Sequence, residues 1–101
     1  MKKVRISTMA ADYIRSERTY LGRFSAPAAR ELHRKLRNAR SLLSQHPEIG
    51  KVKPGSNGVR VLVIAPYLIE YEVDSDGVLI LIVRHGRQDD RPDEDEDVYA
   101  E

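Results

Sequence analysis

The stretch GVRVLVIAPYLIEYEVDSDGVLILIVRHG, residues 58–86, decides the fold. Residues 60–64 are β-branched and aliphatic apart from Arg60, and two residues, Ala65 and Pro66, separate them from a second run of that kind. A second break, Asp74-Ser75-Asp76-Gly77, has the composition of a tight hairpin turn and leads into Val78-Leu79-Ile80-Leu81-Ile82-Val83. Three short β-rich runs joined by two short breaks predict a three-stranded antiparallel meander. Val59, Val61 and Val63 alternate with Leu62 and Ile64, and Val78, Ile80 and Ile82 with Leu79, Leu81 and Val83. Both faces of the sheet are therefore apolar: either a partner segment covers part of one, or these are central strands of a curled sheet that bury themselves.

Upstream, the pattern changes period. Lys3-Val4-Arg5-Ile6 reads as a short strand, and Ser7 or Thr8 can cap the helix after it. Ala10, Ile14 and Leu21, with Tyr13 and Tyr20, form that helix's apolar face, and Gly22 is expected to end it. Ser25 followed by Pro27 marks a second helix start; Ala29, Leu32, Leu36, Ala39 and Leu43 fall on one side and Pro47 closes the segment. Residues 47–58, with Lys51 and Lys53, read as a Gly/Pro loop. The expected fold is α+β: an N-terminal strand, a helical hairpin, then the meander, with both helices on one sheet face.

With 101 residues there is material for one domain, expected over 1–88, followed by an acidic, disordered tail over 89–101. The formal charge of +1 conceals a division, because residues 1–88 hold 16 Lys/Arg against 8 Asp/Glu and the tail holds 8 acids against one Arg. The absence of cysteine excludes thiolate chemistry, and His33, His46 and His85 have no metal-ligand spacing, so neither metal nor cofactor is expected. No run of about 18 apolar residues and no signal-like segment occurs, which predicts a cytoplasmic protein with no membrane partner. Arg30, Arg34, Arg37 and Arg40 recur on one side of the second helix, either as a phosphate grip or as a solvated face.

The order LLSQHPEIGKVKPG, GVRVLVIAPYLIEYEV, GVLILIVRHGRQD after a helical hairpin resembles the ParE/RelE superfamily of toxins from bacterial type II toxin–antitoxin pairs, over about residues 3–89. The resemblance implies a toxin silenced by a cognate antitoxin, which in turn connects the pair to operator DNA. It also implies one of two targets: DNA gyrase, poisoned by binding in the ParE-like branch, or the ribosome and its mRNA, cut in the RelE-like branch. For a RelE-like ribonuclease, Arg60 would clamp phosphate and His85 would transfer protons, since imidazole titrates near neutrality. Lys51, Lys53, Arg84, His85 and Arg87 are the candidate target-binding residues. No antitoxin-binding residue is assigned.

Departures from the pattern weigh against the nuclease. Val61 stands where a second basic residue often follows the arginine, Gln88 replaces the second arginine of the terminal motif, and Tyr99, in the acidic tail, is the only C-terminal aromatic. The phrase APYLIEYEV resembles ParE-like members more closely; its Tyr67 and Tyr71 share a strand face, fitting a core or an aromatic contact to a partner. The ParE-like gyrase inhibitor is the preferred reading and the RelE-like endoribonuclease the alternative. A generic nucleic-acid-binding module is the third, resting on the basic body alone. The tail is expected either to mask Arg84, His85 and Arg87 weakly or to serve only solubility.

Overall fold

The computed structural model describes residues 1–86. Arg87, Gln88, Tyr99 and the predicted tail with its boundary at residue 88 lie outside the described residues. The elements in chain order are β1 (Val4–Ile6), α1 (Thr8–Phe24), α2 (Ala26–Gln45), β2 (Lys51–Val52), β3 (Arg60–Ile64), β4 (Tyr67–Asp74) and β5 (Gly77–His85). The strands form one sheet in the order β1-β5-β4-β3-β2, with β1 parallel to β5 and the other pairs antiparallel. The expected α+β fold is observed, with both helices against one sheet face.

The helical hairpin turns on a single residue. Ser25 has an extended backbone; its N–H donates to the Leu21 carbonyl at 2.9 Å and closes α1, while its hydroxyl accepts from Ala28 N at 3.2 Å and opens α2. Gly22 does not end α1, contrary to expectation. It is not among the glycines with positive φ, so it continues the helix and the stop is supplied by Ser25.

Two further corrections concern the sheet. Lys51 and Val52, expected in a loop, form the edge strand β2 against Val61 and Arg60; two exposed residues carry too little pattern to be read as a strand. The strict alternation expected along 78–83 is broken by a bulge: Glu70 pairs with Ile82 and Tyr71 with Ile80, leaving Leu81 without an opposite residue. Beyond it the faces exchange. Ile80 and Val83, three apart, both enter the core, and His85 rather than Arg84 follows them onto the helix-facing side. Ser7 holds this point, because its hydroxyl donates to the Leu81 carbonyl at 2.7 Å while accepting from Ala10 N at 3.0 Å as the cap of α1.

The core lies between the helices and this sheet face: Ala10, Leu32, Ala39 and Leu43 from the hairpin, with Leu62, Tyr67, Ile69, Tyr71, Val78, Ile80 and Val83 from the strands. Tyr67 and Tyr71 are therefore core residues. The opposite face carries Val61, Val63, Leu68, Leu79 and Ile82, of which Val63 is 63% exposed, and no helix among the described residues covers it.

Candidate functional site

The candidate residues divide between the two sheet faces, and the register shows how. Arg60 pairs with Tyr71 on one side of β4, and His85 pairs with Tyr67 on the other side, so both occupy the helix-facing side at positions four residues apart. At about 3.3 Å per residue and about 4.8 Å per strand spacing, their backbones stand roughly 16 Å apart. Arg60 is also already engaged: its Nη1 donates to the Gly50 carbonyl at 2.8 Å and the Glu48 carbonyl at 3.2 Å. A clamp and a proton-transfer group must meet at one phosphate within hydrogen-bonding reach of both, and this pair does not converge.

The Arg60 end of the sheet is a structural lock. Gly50 N donates to the Tyr71 hydroxyl at 2.8 Å, and Tyr71 is fully buried. Burial raises the Tyr71 phenol, against which the Gly50 hydrogen bond acts. Tyr71 and Arg60 together thus hold both polar groups of Gly50, joining the segment before β2 to β3 and β4.

The His85 end differs. Its ring stands edge-on to Tyr67 at 5.6 Å between centroids, and the Tyr67 hydroxyl donates to Glu17 Oε2 on α1 at 2.8 Å. Burial first, and then the hydrogen bond and charge of Glu17, push the Tyr67 phenol far above its ordinary range, so it stays a neutral donor. The imidazole borders an open hollow of about 580 Å³ lined also by Val63, Pro66, Leu68 and Gly86. The sheet end thus presents an open hollow with an aromatic-carboxylate support behind it.

On the opposite face, Glu70 is buried and accepts from two predicted site residues: Lys53 Nζ at 3.1 and 3.2 Å, and Arg84 Nη2 and Nε at 2.8 and 3.1 Å. Lys51 pairs with Val61, and Val61 with Glu70, which sets Lys51 on the same side. Lys51, Lys53 and Arg84 are thus brought to one face, organised around a carboxylate that the sequence reading passed over. Its signal was present: Glu70 and Glu72 alternate with Ile69, Tyr71 and Val73 in β4. His33 is exposed on α2, and His46 caps its C-terminus. Among the described residues, no group of three or more His or acidic residues could hold a metal ion.

The family model of the ParE toxin of the type II toxin–antitoxin system parDE matches residues 4–90. The chain belongs to the ParE toxin family. A relative named Toxin RelE2, from Caulobacter vibrioides, is 34% identical over 68 residues, covering 67% of this chain and 76% of the relative. A solved structure described as the chromosomal ParDE TA system from P. aeruginosa superposes with a TM-score of 0.69 at 19% identity, covering 84% of this chain and 96% of that one. That likeness concerns the fold. This ParE-family chain has a helical hairpin over one face of a five-stranded sheet, and the toxin–antitoxin family expected from the motifs is the family found. No helix among the described residues is long and apolar enough to cross a membrane.

Proposed function

We propose that this ParE-family chain is the toxin of a toxin–antitoxin pair and inhibits DNA gyrase by binding, with a cognate antitoxin as its silencing partner. The observation that carries the reading is the separation of Arg60 from His85: roughly 16 Å of sheet lies between them and the Arg60 guanidinium is directed at the backbone of residues 48 and 50. A binding toxin needs no convergent acid, base and clamp. It needs a presented surface, and Lys51, Lys53 and Arg84 on one face with His85 at the sheet end are the residues assigned to it; Arg87, outside the described residues, continues the same motif.

The family match and the ParDE relative's fold support the antitoxin partnership. The relative named Toxin RelE2 favours a second reading, ribosome-dependent mRNA cleavage, with Arg60 and His85 as catalytic residues. Purified chain added to gyrase and plasmid DNA, and separately to programmed ribosomes, distinguishes them. Gyrase-dependent linear DNA with intact message supports the proposal; codon-phased mRNA cuts without an effect on gyrase overturn it.

A further inference from the structure

Between α1, α2 and the sheet lies a cavity of about 250 Å³, floored by Ile6, Ile14, Leu36, Ile69, Ile80 and Val83, with His33, Arg37 and Arg40 at its mouth. A second hollow opens beside it, lined by Arg18 from α1 and by Arg30, His33 and Arg37 from α2. The arginines of this hairpin are of two kinds. Arg15 pairs with Asp12, Arg34 with Glu31, and Arg40 donates to the Val4 carbonyl at 3.1 Å. Arg18, Arg30 and Arg37 have no carboxylate or hydrogen-bond partner among the described residues.

An apolar floor beneath guanidinium groups that lack anions is complementary to an acidic segment with a short apolar run. A duplex nucleic acid would use the rim and leave the floor empty. The cavity also falls below the ~300–1,000 Å³ of most small-molecule sites, yet it exceeds the ~150 Å³ that suffices for a benzene ring. One segment of this chain has the required composition: residues 89–101, with eight carboxylates and the apolar run Val98-Tyr99-Ala100.

We propose that the groove between α1 and α2 is the docking site of this chain's own acidic C-terminal segment, with the Tyr99 ring in the cavity and the carboxylates against Arg18, Arg30 and Arg37. The chain is long enough: residues 87–99 extend up to about 45 Å, beyond the longest dimension of the fold, 38 Å. Because segment and groove share one chain, docking is intramolecular, with an effective concentration on the order of millimolar. The segment therefore acts as a tethered competitor, and any partner that uses the groove must displace it. The inference does not depend on whether gyrase or the ribosome is the target.

The test uses the full chain. It contains no cysteine, so Ala100→Cys carries a single nitroxide label, and amide line broadening maps its position. The expected result is broadening at Ile14, Arg18, His33 and Arg37, reversed near ~0.5 M salt and abolished by Arg18→Glu with Arg37→Glu. Should that double variant not fold, Tyr99→Ser in the labelled chain is expected to give the same loss. Broadening centred on Arg84 and His85, broadening that survives charge reversal, or none at low salt would overturn the proposal. So would a DNA duplex that shifts these amides while the label leaves them untouched.

Discussion

Two glycines in this chain are expected to answer the same substitution with opposite signs. A Cβ on Gly50 would stand 2.8 Å from Tyr71 Cε1, from the Tyr71 hydroxyl and from the Val61 carbonyl. None of these can yield cheaply, since Tyr71 is fully buried and the third contact is backbone in a strand. Gly50→Ala must therefore lose the Gly50 N–Tyr71 hydroxyl bond, about 1 kcal/mol net, and also impose overpacking of about 1–3 kcal/mol. The total is about 2–4 kcal/mol, or at about 4–8 °C per kcal/mol for a domain of this size a fall in Tm of roughly 8–30 °C. Gly22, by contrast, has nothing within 4 Å of its added Cβ and lies inside α1; Gly22→Ala is expected to stabilise by about 0.5–1 kcal/mol, less any fraying near the helix end. Thermal melts followed by circular dichroism check both. A Gly50→Ala change below about 3 °C would mean that the segment before β2 can withdraw from Tyr71, and the description of that end as a lock would be wrong.

Glu70→Gln keeps the shape but removes the charge between Lys53 and Arg84. Lys53's side chain is 45% exposed, which moderates the cost of breaking a buried pair to about 1–2 kcal/mol in chemical denaturation; an unchanged midpoint would show that the two cations are not organised by this carboxylate. Ser7→Ala removes both the α1 cap and the donor to the Leu81 carbonyl, and about 2 kcal/mol should be lost, against about 1 if only the cap matters. In alkali, the raised phenols of Tyr67, Tyr71 and Tyr13 keep protons that the unfolded chain releases near pH ~10. The folded state then binds more protons than the unfolded one, so stability is full below that pH and falls as pH rises above it. Tyr67→Phe should reduce the slope of that loss, and an equal slope in both proteins would remove Tyr67 as its source.

How much of this was legible depended on whether a residue's signal was local. Ser25 and Pro27 carry their own backbone preferences, and Ala65-Pro66 and Ser75-Asp76 interrupt otherwise continuous apolar runs, so the hairpin and the meander followed from nearest neighbours. The bulge did not. Residues 78–83 are uniformly apolar, so alternation has no phase there, and only the Ser7 hydroxyl, more than seventy residues away in sequence, marks Leu81. Because the bulge determines which of Arg84 and His85 faces the helices, the geometry of the candidate site was hidden along with it. The extra residue sits on β5, so β4 keeps its alternation across the bulge, and the expected shared strand face of Tyr67 and Tyr71 is the one turned to the core. Arg60 was legible as an arginine in a β-strand, but its use as a tie to the carbonyls of residues 48 and 50 required the position of Gly50.

The proposed activity of this ParE-family chain is inhibition of gyrase by binding, without RNA cleavage. The most direct measurement induces the chain alone in cells, recovers covalent gyrase–DNA complexes and maps transcript ends in the same culture. Trapped gyrase complexes should accumulate with transcripts intact, and an Arg60→Lys variant should give the same outcome in proportion to the amount that folds. Transcript ends phased to codons in the ribosomal A site, lost on Arg60→Lys in protein that remains folded, with gyrase untouched, would contradict it.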